Sequence, residues 1–321
     1  MTQQRISRAL CKIALVDTRR PDASPCALTR RDVITGLGAA ASFSIVGSMA
    51  WAQDRASLLP LNTPKVDHLD VIVPNVEASA RFYMSVFNTR LHAQPFQGAF
   101  RYFILFGELP ADTRRVGYLA IGDARGRATS IGHFCTSVFN YQRDSMAIFA
   151  AIDEQVVKAG LKPITRGSGV GGIFSDPDGI EVQFLPAPDT LVTAAVPSEL
   201  VEPNKGLVTP RGVDHALLQV ADLQKGIQFY RILYGMEALR EKSPERVWFR
   251  IGDTRLGLEQ APPGQKPHID HFGVKVAPFD RNTVTAALKK LGAAIVPSPD
   301  EASVLRFRDL DGITVELVAA S

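Results

Sequence analysis

One stretch of sequence decides the fold: His68-Leu-Asp-Val-Ile-Val-Pro-Asn-Val-Glu-Ala-Ser-Ala-Arg-Phe82-Tyr83. The chain repeats its pattern as His215-Ala-Leu-Leu-Gln-Val-Ala-Asp-Leu-Gln-Lys-Gly-Ile-Gln-Phe229-Tyr230. The two copies lie 147 residues apart without a gap. Each copy predicts a short strand that opens with His, a turn at Asn75 or Asp222, and a helix that carries Phe-Tyr. A duplication at this distance indicates two related halves.

A second repeat divides each half again. Ile131-Gly-His133-Phe-Cys-Thr-Ser-Val138 is similar to Ile269-Asp-His271-Phe-Gly-Val-Lys-Val276, and a helical stretch follows each copy. Each then reaches an Asp-Gly turn between apolar runs, which predicts a hairpin; the turns are Asp176-Pro-Asp-Gly179 and Asp309-Leu-Asp-Gly312. The chain is therefore predicted to be an α+β protein of four βαβββ modules, which start near residues 66, 130, 211 and 268.

Polar residues with metal-ligand chemistry share one face of the predicted strands. Side chains alternate between the two faces of a strand, so His215 lies opposite the apolar Ala216, Leu218 and Val220. By the same alternation His271, Glu316 and Glu259 lie away from the helix-packing face. Two His and one carboxylate on a shared face suit Fe, Mn, Ni or Zn with open coordination positions. Each His could instead be a polar residue satisfied within the sheet.

The repeated modules resemble the vicinal oxygen chelate superfamily, the group of glyoxalase I, bleomycin-resistance proteins and extradiol dioxygenases. The resemblance implies two domains in which paired modules curl into a cup, with a divalent metal on the inner face. It implies His215, His271 and Glu316 as metal ligands. Glu259 aligns with the additional carboxylate of glyoxalase I, which implies a catalytic base. The alternative for Glu259 is a rim carboxylate before the turn Ala261-Pro-Pro-Gly264.

The first half departs from that pattern at one ligand. His68 and His133 occupy ligand positions, but Gln183 stands four residues past the turn glycine, where the second half has Glu316. A neutral amide oxygen binds a divalent metal more weakly than a carboxylate does. Glu181 lies on the same face, roughly 7 Å away by strand rise. We expect either a weak second metal site at His68, His133 and Gln183, a vestigial cup, or a cup that binds substrate without metal.

Residues 1–52 are predicted to be an export signal. Thr29-Arg30-Arg31-Asp32-Val33-Ile34 resembles a twin-arginine motif. An uncharged stretch rich in small residues follows and ends at Ala50-Trp51-Ala52, which is a cleavage pattern. Twenty uncharged residues could alternatively form an uncleaved membrane anchor. Cleavage predicts a periplasmic or secreted protein without stable membrane insertion.

The remaining chain has room for two domains, at 65–186 and 211–319, joined by a proline-rich linker at 187–210. The signal takes 7 of the 36 Lys and Arg and 3 of the 33 Asp and Glu with it, so the remainder carries 29 basic and 30 acidic residues. No basic patch indicates nucleic-acid binding. Cys135 remains alone, so no intrachain disulfide is possible.

These features predict an exported, metal-dependent enzyme of glyoxalase or dioxygenase type, acting on a small oxygenated substrate. Two observations weigh against ring cleavage, for which extradiol enzymes add a His and a Tyr near the metal. The segment 304–308 contains no Tyr, and His268 is the only spare His of the second half. An isomerase or lyase, or a ligand-sequestering protein of bleomycin-resistance type, therefore stays open. The expected partners are a small molecule and a second copy of the chain in a homodimer.

Overall fold

The computed structural model describes residues 58–96, 98–107, 117–167, 171–187, 206–298 and 302–320. The elements of the first half are β1 (Val66–Val73), α1 (Val76–Val86), β2 (Leu91–Phe96), β3 (Ala99–Phe106), β4 (Gly117–Asp123), β5 (Ser130–Phe139), α2 (Tyr141–Lys158), β6 (Thr165–Arg166), β7 (Gly172–Ser175) and β8 (Glu181–Ala187). Those of the second half are β9 (Thr209–Val220), α3 (Leu223–Tyr234), β10 (Leu239–Lys242), β11 (Glu245–Ile251), β12 (Thr254–Gln260), β13 (His268–Ala277), α4 (Arg281–Lys290), β14 (Ala294–Val296), β15 (Val304–Arg308) and β16 (Thr314–Ala319).

The element order confirms the predicted α+β fold of four βαβββ modules. Each half forms an eight-stranded mixed sheet, with strand orders β2-β3-β4-β1-β5-β8-β7-β6 and β10-β11-β12-β9-β13-β16-β15-β14. The first strands of the paired modules meet at the centre of each sheet in antiparallel pairs, β1 with β5 and β9 with β13. This pairing brings the two His-bearing strands of each half side by side.

The helices begin where the repeated turns predicted them. The Asn75 side chain accepts a hydrogen bond from the backbone N–H of Ala78, and Asp222 accepts from Gln224 and Lys225. These caps satisfy N–H groups that have no partner inside the helix. The apolar side of each helix then packs on the sheet, burying Phe82 and Tyr83 in α1 and Phe229 and Tyr230 in α3.

The Asp-x-Asp-Gly turns close the last hairpin of each half. Asp176 Oδ1 accepts hydrogen bonds from the backbone N–H groups of Asp178 and Ile180, and Asp309 Oδ1 does the same for Asp311 and Ile313. Gly179 and Gly312 adopt φ values of 89° and 86°. Such positive φ values favour glycine, which explains the repeated Asp-Gly pattern.

The two halves are tied to each other by reciprocal hydrogen bonds. Tyr83 in α1 donates its hydroxyl to Asp309 Oδ2 of the second half at 2.7 Å. Tyr230 in α3 donates to Asp176 Oδ2 of the first half at 2.8 Å. The repeated Tyr of each helix therefore reaches the repeated Asp of the opposite hairpin. One continuous apolar core extends through both halves around these contacts.

Some sequence predictions fall outside the described residues. The export signal lies wholly outside them, and so do residues 188–205 of the predicted linker. At the linker ends, Ala187 closes β8 and Thr209 opens β9. Among the described residues, no helix has the length and apolar character needed to cross a membrane.

Candidate metal centre

Three buried ligand-type side chains converge in the second half. His215 comes from β9, His271 from β13 and Glu316 from β16, and one possible ligand atom from each lies within 4.8 Å of the others. Gly273 pairs with His215 on one side and with Glu316 on the other, which sets the strands in register. The sheet side that carries these three residues is called the second cup, and the side with His68, His133 and Gln183 the first cup.

The Nε2 atoms of both imidazoles face the same carboxylate. His215 Nε2 lies 3.3 Å from Glu316 Oε2, and His271 Nε2 lies 3.5 Å from Glu316 Oε1. The two rings are perpendicular, with centroids 5.3 Å apart. All three side chains therefore present their donor atoms to one small volume.

An aspartate directly before each imidazole fixes its orientation. Asp214 Oδ2 accepts a hydrogen bond from His215 Nδ1 at 2.7 Å, and Asp270 Oδ2 accepts from His271 Nδ1 at 2.6 Å. A proton assigned to Nδ1 leaves Nε2 as the atom that faces the cluster. Carboxylate partners of this kind orient imidazole ligands in metal sites and raise their basicity. Arg255 in turn holds Asp214 at 2.6 Å.

The electrostatics of the cluster keep its carboxylate ionised. Burial alone would raise the pKa of Glu316, but His215, His271 and Arg306 lower it to about 2. Burial opposes a charge on His215, yet Asp214 and Glu316 raise its pKa. For His271, burial prevails and lowers the pKa. Glu316 thus stays anionic in a buried position, where a charge persists only with compensating partners.

The donor set fits a divalent metal on two observations of this geometry. His215 Nε2 is buried and has no well-formed hydrogen bond among the described residues, although it points toward Glu316. Two imidazoles and one carboxylate are also the ligands that iron, manganese, nickel and zinc accept. His215, His271 and Glu316 would hold the ion. Arg306 Nε donates to Glu316 Oε1 at 2.6 Å, so Oε2 is the better placed oxygen.

Glu259 is not brought into this cluster. It pairs in register with Gln219, whereas Arg255 pairs with His215, so Glu259 lies four residues further along β12, about 13 Å by strand rise. Its carboxylate accepts a hydrogen bond from Arg246 Nε at 2.5 Å. A role for Glu259 as a base therefore stays a prediction.

The first cup brings its corresponding residues together in a different electrostatic setting. His68 Nε2 lies 3.3 Å from His133 Nε2, which lies 3.2 Å from Gln183 Oε1. Burial lowers the pKa of His68, although Asp67 opposes the shift. Tyr118 stacks on the His68 ring with centroids 4.3 Å apart. The first cup arranges its two His as the second cup does, but it has the neutral Gln183 where the second cup has the anionic Glu316.

Sequence reasoning missed the residues that surround the cluster. The Asp-His pairs at 214–215 and 270–271 were a usable signal, because a carboxylate beside each imidazole is a typical partner. Nothing local in Val304–Arg308 indicates that Arg306 contacts Glu316, because the contact depends on the pairing of β15 with β16. Trp248, whose ring packs edge-on against His215 at 5.4 Å, gave no signal.

Comparison with known proteins decides the family. Residues 65–184 and 212–317 match the Glyoxalase family, described as the Glyoxalase/Bleomycin resistance protein/Dioxygenase superfamily. This chain belongs to the glyoxalase/bleomycin resistance protein/dioxygenase superfamily. The superfamily takes its name from enzymes and resistance proteins alike, so membership establishes the fold and leaves the reaction to the site.

Solved structures similar to this superfamily member are dioxygenases and glyoxalases. The 2,3-dioxygenase LapB from Pseudomonas sp. KL28 is similar with a TM-score of 0.57 and 18% identity, over 82% of this chain and 94% of that chain. The Mn(II)-bound glyoxalase from Novosphingobium aromaticivorans has a TM-score of 0.55 and 15% identity, over 81% and 83%. A catechol 2,3-dioxygenase has a TM-score of 0.55 and 14% identity, over 81% and 89%. At these identities the likeness shows the fold.

A cavity in this protein lies away from His215, His271 and Glu316, which are called the triad from here on. Its volume is about 480 Å³, and residues of the first cup line most of it, including Asp70, Arg101 and His133. None of His215, His271 and Glu316 lines it. The cavity and the cluster of ligand-type side chains are therefore two separate features, of the first and second cups respectively.

Proposed function

We propose that this protein is a metal-dependent enzyme of glyoxalase or dioxygenase type that acts on a small oxygenated organic substrate at the second cup. The observation that carries the proposal is the convergence of His215, His271 and Glu316 within 4.8 Å. A divalent metal held there would keep open positions for two neighbouring substrate oxygens and stabilise negative charge that develops on them.

The surrounding residues have separate tasks in this proposal. Asp214 and Asp270 hold the two imidazoles with Nε2 toward the cluster. Arg306 holds one oxygen of Glu316 and adds a cation at the wall of the cup, which favours an anionic substrate group. Trp248 covers one side of His215 and keeps water from it.

Two reaction types remain within the proposal. The superfamily includes dioxygenases, which keeps oxygenation open, whereas β15 and β16 beside the cluster contain no Tyr and place Arg306 against Glu316. His268, the spare imidazole, lines the cavity of the first cup and not the triad. These positions support isomerase or lyase chemistry, in which the metal acts as a Lewis acid. Stoichiometric iron in purified protein would favour oxygenation, and nickel or zinc would favour isomerase or lyase chemistry.

The alternative is a non-catalytic, ligand-sequestering protein of bleomycin-resistance type. The cavity of about 480 Å³ in the first cup supports ligand binding without turnover. Protein that carries no metal under any loading condition, yet binds a small molecule, would favour this alternative. A homodimer stays a prediction.

Replacing Gly273 with Ala should weaken metal binding about 10- to 100-fold, which is the usual effect of disturbing the groups that orient a metal ligand. A Cβ atom at Gly273 would lie 2.5 Å from His215 Nδ1, so the ring must move away from Asp214. Metal titration of the apo protein would measure the effect. Cys135→Ala is the matched control, because Cys135 pairs with His68 as Gly273 pairs with His215. Equal affinities of Gly273→Ala and wild type would refute the placement of His215.

We further propose that the protein is exported through the twin-arginine motif at Arg30 and Arg31. Mature protein from the native host should begin near Gln53 and fractionate outside the cytoplasm. N-terminal sequencing of the purified protein would measure the start. Arg30→Lys with Arg31→Lys should retain the precursor in the cytoplasm. Soluble cytoplasmic protein with an intact N-terminus would contradict export.

A further inference from the structure

We propose that the first cup is a metal-independent binding site for a small organic carboxylate with an aromatic or branched apolar body. This site is separate from the triad and goes beyond the proposed reaction. Four features carry the inference: a cavity, a set of cations, an aromatic rim and the side chain of Arg101. The corresponding arginine of the second cup, Arg246, binds a carboxylate that the first cup lacks.

The cavity opens in the first cup and has a volume of about 480 Å³. This is within the range of small-molecule sites. Asp70 and His133 line its inner part, and Phe96 and Phe100 line it from the hairpin of β2 and β3. Residues 267–269 from the start of β13 close one side, so both halves of the protein contribute to the cavity.

The strand registers show that the first cup differs from the second at one decisive position. Ile72 pairs with Gly122, and Gln219, which is 147 residues after Ile72, pairs with Glu259. Gly122 therefore stands where the second cup has Glu259. Along the neighbouring strands, Phe103 pairs with Ala120 as Trp248 pairs with Gly257. Arg101 lies two residues before Phe103 on β3, and Arg246 lies two residues before Trp248 on β11, so these two arginines correspond.

Because Gly122 stands in place of a glutamate, part of the Arg101 guanidinium has no protein partner among the described residues. In the second cup, Arg246 Nε donates to Glu259 at 2.5 Å. In the first cup, Arg101 forms an ion pair with Asp70 through its terminal nitrogen. Its Nε, however, is buried and has no hydrogen-bond partner among the described residues. A buried N–H that makes no hydrogen bond carries a free-energy cost that a ligand oxygen would remove.

The charges around the cavity favour an anionic group. Arg125 and Arg127 line the cavity together with Arg101. Three acids line it too, but Asp70 is held by Arg101 and His133, and Asp123 accepts the backbone N–H of Arg125. Glu181 is exposed at the rim. A ligand carboxylate that accepts a hydrogen bond from Arg101 Nε would have Arg125 and Arg127 lining the same cavity.

The rim supplies the apolar contacts. The centroid of the Phe96 ring lies 5.9 Å from the guanidinium carbon of Arg101 and 6.0 Å from that of Arg125. Phe96 and Phe100 are 44% and 40% exposed, which is unusual for side chains of this size, and both face the cavity. An apolar ligand body would cover these rings while its carboxylate reaches Arg101.

Calorimetric titration of the purified full chain with benzoate, phenylacetate and cyclohexanecarboxylate would test the proposal, with benzamide as the neutral counterpart. At least one acid should bind, and benzamide should bind at least tenfold more weakly. Arg101→Gln and Gly122→Glu should each weaken binding of that acid at least tenfold. The Gly122→Glu change copies the second cup, and its Cβ would lie 3.3 Å from the flexible end of Ile72.

The triad variant Glu316→Gln is the control that separates the two sites. It should bind the acid with wild-type affinity, with or without added chelator. No binding of any acid to wild type would overturn the proposal, as would equal binding of benzamide. Binding that survives Arg101→Gln but is lost with Glu316→Gln would also overturn it, because the acid would then occupy the second cup.

Discussion

Glu316→Gln should abolish tight metal binding and all metal-dependent activity. Glu316 is the only anionic member of the triad, and a neutral amide cannot compensate a divalent charge in a buried site. Disturbing the outer partners of metal ligands costs 10- to 100-fold in affinity, so loss of a direct ligand should cost more than about 100-fold. Metal content after exhaustive dialysis measures the effect.

The first half provides the matched variant for this experiment. Gln183 occupies the position of Glu316, and His133 Nε2 already lies 3.2 Å from its side-chain oxygen. Gln183→Glu should therefore raise the metal content of the protein by up to one equivalent. Full metal retention by Glu316→Gln would show that the ligand assignment is wrong. A gain with Gln183→Glu would identify the first cup as a degraded copy of the same site.

The second large effect concerns the reciprocal ties between the halves. Tyr83→Phe and Tyr230→Phe should each lower the free energy of unfolding by about 1.5–3 kcal/mol, the usual contribution of a hydrogen bond to a charged group. Each change removes the hydroxyl that donates to a buried carboxylate, Asp309 or Asp176. Chemical denaturation measures the effect, and the double variant should lose roughly the sum because the two ties share no residue.

The pH dependence of this effect provides a sharper test. Burial raises the pKa of Asp176 to about 6, although Tyr230 and two backbone N–H groups oppose the shift. The folded state then binds this proton more tightly than the unfolded state, so stability is present at low pH and is lost as the pH rises toward 6. Without the Tyr230 hydroxyl the pKa rises further, so Tyr230→Phe should be more destabilising at pH 8 than at pH 5.

Tyr102→Phe is the control for these tyrosine variants. Tyr102 is 1% exposed, and its hydroxyl takes part in neither of the two hydrogen bonds between the halves. Its replacement should lower the free energy of unfolding by less than the roughly 1.5–3 kcal/mol expected for Tyr83→Phe or Tyr230→Phe. If Tyr102→Phe costs as much as Tyr83→Phe, the cross-half hydrogen bonds do not contribute as we describe.

The fold was predictable because the sequence repeats both its strands and its turns. The helix caps at Asn75 and Asp222 and the turns at Gly179 and Gly312 are local features, and each formed where the pattern predicted. The alternation of side chains also predicted that His215, His271 and Glu316 share a face. Their convergence needed only that these strands be neighbours, which the resemblance to paired modules supplied.

Contacts between distant segments were not predictable in the same way. Tyr83 and Asp309 were each recognised as part of a repeat, but nothing in one strand or helix indicates that the two repeats bind each other. The position of Glu259 depends on the register of β12 against β9, and a face assignment does not fix how far along the strand a residue lies. The ion pair of Arg306 with Glu316 depends on register for the same reason.

The central claim is that the second cup holds one divalent metal between His215, His271 and Glu316. Metal analysis of the purified protein, after loading with Fe, Mn, Ni or Zn and dialysis, tests it most directly. We expect close to one equivalent of one of these metals in wild type, none in Glu316→Gln, and an unchanged value in Arg101→Gln. Wild-type protein that retains no metal after loading with any of the four would contradict the claim.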